Sequence, residues 1–481
     1  MGQVRRGAER RRLMKVARLD HAALFRAWSR QVVRTDAGGG ASAFALSAKL
    51  ARGSIAASFV FIAGAGVTYC AQLAVARTAG AHGYGVYAYV LAWVTVLAYV
   101  SALGFDISLM RFVPAYMATR AFALLQGVIR YAWRRVAAVG CGIGLTGIAV
   151  ILARPGRLPS DLADTFVLGF AVVPILALSW ICTAVVRGFG GVISALAPDR
   201  VVRDGVLLGV VFLGTAGTGW IIDAPRAMAA TLLGATAGLG LVSLSMHRLR
   251  PDAMDAVALA YDAHTWRRTA LPLVVIGTAD IMMNRMGVVL LGWVVDPKEA
   301  GIYALAFNIA FAVLLPRTAV NALLAPTISD LFVRNDRDAL RAIVAKAAWW
   351  TVAGASCIAL PLLVLAEPIL SLFGRDFVAG APALRILLTG QVLVAAAGSQ
   401  LQLMTMTGHE RSAAVLLVSS VVANAAIGAA LVIPLGPTGA ALAATMALIG
   451  WSTAMALSIR RHLRLFPGVL ADSLDKTEHS G

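Results

Sequence analysis

The stretch "TADIMMNRMGVVLLGW", residues 278 to 293, sets Asp280, Asn284 and Arg285 in a run otherwise suited to lipid. An ionised side chain at the centre of a bilayer costs about 2.5 to 3.5 kcal/mol even on lenient insertion scales, so both charges require water or a charged partner beside them. On one helix Asp280 and Asn284 share a face, about 40° apart, whereas Asp280 and Arg285 are about 140° and about 7.5 Å of rise apart. A direct ion pair within the helix is therefore poor, and each charge needs a partner elsewhere. Arg317 follows Pro316 in the next apolar run, where a proline kink would free a carbonyl. A carboxylate of this kind takes a cation or positions a guanidinium. A guanidinium offers a planar fork of donors that matches phosphate.

The elements that must carry these residues are read from composition. The chain has 481 residues, 59% hydrophobic and 14% charged, which excludes an ordinary soluble domain and indicates a polytopic helical membrane protein. Runs of about 20 apolar residues, enough for a helix to cross a bilayer core of about 30 Å, lie near 54–76, 84–104, 136–153, 164–186, 204–222 and 227–247. Six more lie near 269–292, 300–323, 347–366, 382–404, 412–434 and 437–458, giving an expectation of twelve spans.

The formal charge of +18 finds its explanation in loop charges. With both termini placed in the cytosol, 33 of the 42 Lys and Arg fall in inner segments, seven in outer loops and two, Arg285 and Arg317, within spans. That bias orients the chain and makes a nucleic-acid partner unnecessary. The first fifty residues, opening on a basic "RRGAERRRLMK", lack a signal-peptide core and read as a cytosolic arm able to touch anionic headgroups. Trp133, Trp220, Trp266, Trp293, Trp349 and Trp350 stand near span ends, where interfacial indoles belong. Cys70, Cys141, Cys182 and Cys357 lie in apolar runs without metal-type spacing and read as buried small hydrophobes.

An internal repeat organises the spans. "GVYAYVLA" from Gly85 and "GIYALAFN" from Gly301 are 216 residues apart, and the same offset maps the first span onto the seventh. The third and fourth spans map onto the ninth and tenth within a few residues. Six spans per half, an even number, relate the halves by an axis along the membrane normal, and rocking of such halves permits alternating access around a central cavity. The expected division is a basic arm at 1–52, a first lobe at 53–250, a second lobe at 251–460 and a cytosolic tail at 461–481.

The segment "LAVARTAGAHGYGVYAYVLAWVTVLAYVSALGFDISLMRFVPAY" (73–116) resembles the first spans of bacterial oligosaccharide flippases, the O-antigen flippase-like branch of the multidrug/oligosaccharidyl-lipid/polysaccharide exporter superfamily. "WRRTALPLVVIGTADIMMNRMGVVLLGWVVDPKEAGIYALAFNIAF" (266–311) resembles that family's entry to its second lobe, and "LSLFGRDFVAGAPALRILLTGQ" (370–391) its outer loop between ninth and tenth spans. The resemblance covers about residues 54–460 and rests on loose motifs shared across the superfamily. It implies an all-α, MATE-like architecture of two six-helix lobes in a bacterial inner membrane, translocating polyprenyl-pyrophosphate-linked oligosaccharide or exopolysaccharide repeats, and no catalysis. The family often has a basic residue two positions after the seventh-span aspartate; here that position is Met282 and the arginine is 285.

On that footing Arg285 and Arg317 are expected to line the cavity and attract the pyrophosphate, with Asp280 positioning them or taking a coupling cation, and Asn284 on Asp280's face. The competing reading pairs Asp280 with Arg317 purely to hold the lobe together. Arg77 is either a second anionic contact or a snorkelling interfacial residue. Gln72, Asn308 and Gln391 bond sugar hydroxyls or neighbouring helices. "GIGLTG" (142–147) lies in an apolar span with no strand before it, so Gly140 and Gly144 read as close helix packing rather than a nucleotide loop. No Walker, zincin or G-x-S-x-G motif occurs, and no cofactor or metal is expected. The expected partners are the lipid-linked oligosaccharide, membrane lipids, a coupling cation, and polysaccharide polymerase and glycosyltransferases. A cation-coupled multidrug exporter is the alternative within the fold and would favour deep acidic residues in the first lobe; Asp106, Asp164 and Asp204 read as lying at span ends. A polysaccharide polymerase or ligase is the alternative of another class and needs a longer outer loop than any here. A peptidoglycan-precursor flippase lacks support in additional C-terminal spans.

Overall fold

The computed structural model describes residues 40–218, 222–254, 257–333, 337–407, 409–463 and 468. Every regular element among them is helical. Most of the predicted basic arm, at 1–39, lies outside the described residues; 40–52 are not an arm but the start of a helix.

That helix, α1 (Gly40–Ala102), has 63 residues. Straight, it would be about 95 Å long, three times a bilayer core. The chain breaks it at Gly80 (φ 69°, ψ −178°), a backbone state costly for any residue with a Cβ. The two arms, 40–79 and 81–102, carry the first and second predicted spans. Leu103 and Gly104 then turn the chain with positive φ into α2 (Phe105–Ala118), which continues the second span. Next come α3 (Phe122–Leu152) and α4 (Ser160–Gly188). α5 (Val192–Ala197) runs through a π turn (Pro198–Val202) into α6 (Arg203–Thr218), and α7 (Ala224–Leu249) closes the first half.

The second half opens with α8 (Ala263–Val294). α9 (Pro297–Phe311), a 3-10 turn (Ala312–Leu314) and α10 (Leu315–Val333) form one interrupted rod. α11 (Arg337–Val364), the short α12 (Ala366–Ser371), α13 (Ala381–Ala396) and α14 (Gln400–Met406) lead to α15 (Glu410–Leu463). α15 also merges two arms, across Gly436 (φ 54°). A Cβ on Gly439 would stand 2.1 Å from the Leu431 carbonyl, so the arms double back on each other. Asp223, Asp262 and Asp296 cap α7, α8 and α9, each accepting a backbone N–H of the first turn.

Among the described residues nine helical stretches are long and apolar enough to span a bilayer, and the α1 and α15 stretches each contain one of these glycine breaks. This is a multi-pass membrane protein. The twelve predicted spans are therefore not twelve separate helices. The main departure is the fifth: in place of an inner loop before residue 204, helical structure runs unbroken from Val192.

Within the first half α4 packs on α1, α3 and α7, and within the second α8 and α13 pack on α15. The halves meet where α9 and α8 lie against α1. The repeat has a direct structural expression there. A Cβ on Gly301 would fall 2.5 Å from Gly85 Cα, and one on Gly85 would fall 1.9 Å from the Pro297 carbonyl. Each glycine touches its own repeat equivalent or that residue's helix start, which places the pair beside the pseudo-twofold axis.

Several smaller expectations change. Trp266 is fully buried and donates its indole N–H to the Tyr116 hydroxyl at 3.0 Å; it joins the two halves and is no interfacial anchor. Trp133, Trp293, Trp349 and Trp350 are exposed, and Trp220 lies outside the described residues. Of the cysteines only Cys182 is buried; Cys70, Cys141 and Cys357 are exposed, since in a membrane helix an apolar run also serves the outward face. Gly140 and Gly144 do abut Pro174 and Phe170 of α4.

Candidate functional site

One face of the molecule carries the Lys/Arg-rich turns and is called here the basic face; the turn at Gly80 lies at the opposite face. Toward that opposite face the halves are sealed. Arg77 donates from Nε to the Leu372 carbonyl at 2.6 Å, and Tyr84 meets Phe377 edge to face at 5.6 Å. One step deeper Tyr69 donates to the Asn308 carbonyl at 2.6 Å, and Asn308 donates to Gln72 Oε1 at 3.3 Å. Gln72 and Asn308 thus take the helix-to-helix role, across the two halves. Arg77 takes a role the sequence did not offer, tying the first span to the turn after α12.

Beneath this seal the halves diverge. α9 packs on α1, whereas its continuation α10 packs on α11 and α14. Pro316 sits one residue into α10 and lies against Gly354 of α11, where a Cβ would come within 2.7 Å of it. The 3-10 turn and the proline together swing α10 away from the first half. Along the other wall contact persists: Gly292 meets Tyr89, Gly277 meets Tyr99, and Gly104 meets the Ala270 carbonyl.

The charges sort about this space. Asp280 is exposed and Arg317 partly so; they interact across α8 and α10 without a direct ion pair. Tyr99 interacts with Asp280 and with Asp106 of α2, joining carboxylates of the two halves. Arg285 interacts with Tyr84, Tyr87 and Arg203, all of the first half, and has no carboxylate partner among the described residues. Asn284 spends its amide on the Asp280 backbone carbonyl at 2.7 Å, so it serves its own helix. Gln391 is half-buried on α13, which packs on α9, α11 and α15, and it makes no hydrogen bond with the other predicted site residues.

The residues that sequence reading missed are Asp199, Arg203 and Asp204. Arg203 donates from NH1 to Asp199 Oδ1 and from Nε to Asp204 Oδ1, both at 2.9 Å, and Thr68 of the first span donates its hydroxyl to Asp204 Oδ2. The depth of this triad follows from Gly234 of the 26-residue α7: a Cβ there would meet the Arg203 carbonyl at 2.3 Å. Gly234 lies ten residues from one end of α7 and fifteen from the other. Asp204 is therefore not at a span end, and Arg200 and Arg203 are not inner-loop charges. An Arg or Asp in a low-hydropathy stretch reads as loop. The available signal was the i, i+4 spacing of Asp199 and Arg203, which lets a helix neutralise its own charges.

No family model matches the chain, and no curated protein matches it. Solved structures do. A multidrug resistance MATE family transporter in an inward-facing conformation aligns at TM-score 0.67 and 15% identity, over 83% of this chain and 94% of that one. The fold is that of the MATE transporters. The lipid II flippase MurJ, inward closed, aligns at 0.60 and 16% identity over 85% of this chain and 87% of its own. A MOP superfamily transporter from Pyrococcus furiosus, described as having a binding pocket of reversed polarity, aligns at 0.58 and 14% identity over 84% and 93%.

Proposed function

We propose that this MATE-fold protein is a flippase. It translocates polyprenyl-pyrophosphate-linked oligosaccharide or exopolysaccharide repeat units across a bacterial inner membrane by alternating access, with both termini cytosolic and twelve crossings. Arg285 carries the reading. It stands between the halves with only two phenols and another guanidinium for polar company, a surrounding that an anion completes. Arg317, nearer the basic face, is held loosely by Asp280 and can receive the same phosphate as the halves rock. Polyprenyl-linked substrate made by glycosyltransferases would enter from the basic face, where α10 diverges, and pass to a polymerase on the other side.

Arg285→Gln is expected to abolish glycan export while membrane abundance stays near that of the parent, and Arg285→Lys to restore part of it. Normal export by Arg285→Gln at normal abundance would refute the reading.

A second reading has a specific observation behind it. The triad of Asp199, Arg203 and Asp204 carries one net negative charge at mid-depth in the first half, which is where a cation-coupled multidrug exporter of this fold would place acidic groups. Under that reading Asp199→Asn and Asp204→Asn abolish drug efflux while Arg285→Gln is silent. The two patterns are opposite.

A further inference from the structure

Away from the space between the halves, α3 and α4 form an apolar groove of about 370 Å³ on the outside of the bundle, lined among others by Gly142, Ile143, Thr146, Gly147, Val150 and Phe170. The groove exists because glycines stand where side chains would fill it. A Cβ on Gly142 would meet nothing within 4 Å, and on Gly147 it would strike the Phe170 ring at 2.5 Å, so that ring forms the floor. A hollow this size on a hydrocarbon-facing surface forfeits dispersion contacts unless a chain lies in it.

The end of the groove identifies which chain. At about 100° per residue Arg154 falls within about 20° of both Ile143 and Gly147, so the lining stripe of α3 runs straight up to it. The backbone stays wound to that point, Arg154 N donating to the Ile151 carbonyl at 3.3 Å. Arg157 follows in the same turn, between two membrane helices and therefore at an interface. Both arginines are exposed, and neither guanidinium has a carboxylate partner among the described residues. The acids nearby are committed or turned away: Asp161 pairs with His82 at 3.2 Å, and Asp164 lies about 120° around α4 from Phe170.

We propose that this groove binds a bilayer phospholipid with an anionic headgroup, phosphatidylglycerol in type. One acyl chain lies over Phe170, and the phosphate is held by Arg154 and Arg157. The site is separate from the space around Arg285 and does not depend on what that space transports. Guanidinium pairs recognise phosphate bidentately, and basic clusters at a membrane surface select anionic headgroups.

The full chain, purified in detergent and loaded with equal amounts of dioleoyl phosphatidylglycerol and dioleoyl phosphatidylcholine, is read by native mass spectrometry. One phosphatidylglycerol per chain is expected to persist. The Arg154→Gln/Arg157→Gln double variant is expected to retain roughly tenfold less. Gly142→Leu, which fills the groove without displacing a neighbour, loses it to a similar degree while the melting midpoint stays at the parent value. Equal retention of both lipids, or retention unaffected by either variant, overturns the proposal. Displacement of phosphatidylglycerol by an equimolar polyprenyl phosphate overturns the assignment to a bilayer lipid.

Discussion

Arg203 and Arg285 face one another across the halves with opposite circumstances. Arg203 is bridged to two carboxylates, and Asp204 also accepts from Thr68. Arg285 has neither kind of partner. Their substitutions should therefore separate folding from transport. Asp204→Ala strands a guanidinium and a hydroxyl in a largely buried place, with an expected loss of about 3 kcal/mol. That appears as a lower melting midpoint in detergent and reduced abundance. Arg285→Gln strands nothing and should leave the midpoint within a degree or so of the parent, about the scatter of a surface change. If the two variants melt in the reverse order, the division of roles between these arginines is wrong. Sequence alone exposed Arg285 because its surroundings are apolar along the chain. It hid Arg203 because Asp199, Arg200 and Asp204 lie beside it, and a cluster of charges reads as a turn until its partners in space are known.

At the scale of elements, most helices were legible because each buries or exposes a continuous apolar run, and the repeat was legible because both halves begin their second span on the same short pattern. What sequence could not show is where helices break. Gly80 and Gly436 turn the chain without ending helical hydrogen bonding on either side, and the 3-10 turn before Pro316 adds a second irregularity to the kink expected of the proline. The fifth span was misplaced by a dozen residues because hydropathy counts Asp199, Arg203 and Asp204 as solvated, whereas the helix pairs them internally. The repeat glycines make the sharpest test at this scale. Gly85→Val would drive a side chain into the Pro297 carbonyl, which backbone cannot yield locally, so the seal must part. Spin labels on His82→Cys and Arg375→Cys, both exposed, should move apart in that variant while the helical circular dichroism is retained. An unchanged distance in a folded protein would mean that these glycines pack the halves without governing their separation.

For the whole molecule, the contacts describe a body closed toward one face and parted beneath. Arg77, Tyr69, Gln72 and Tyr84 close the first half onto Leu372, Asn308 and Phe377 of the second, while α10 leaves the interface at Pro316. The basic face is where polyprenyl-linked substrate would arrive in the proposed function, so this arrangement corresponds to a loading state. Asp280 reports on it, being exposed yet set between the halves. In a background with Cys70, Cys141, Cys182 and Cys357 replaced by Ala, Asp280→Cys should react with a membrane-impermeant thiol reagent supplied from the basic face and not from the other. Adding Arg77→Ala removes the tie to Leu372 and favours the opposite opening, so basic-face labelling should slow by a few-fold, the scale of about 1 kcal/mol for one hydrogen bond. Labelling from the opposite face alone, or from neither, would show that the space around Asp280 is not an entry route, and the flippase reading would lose the path its substrate requires.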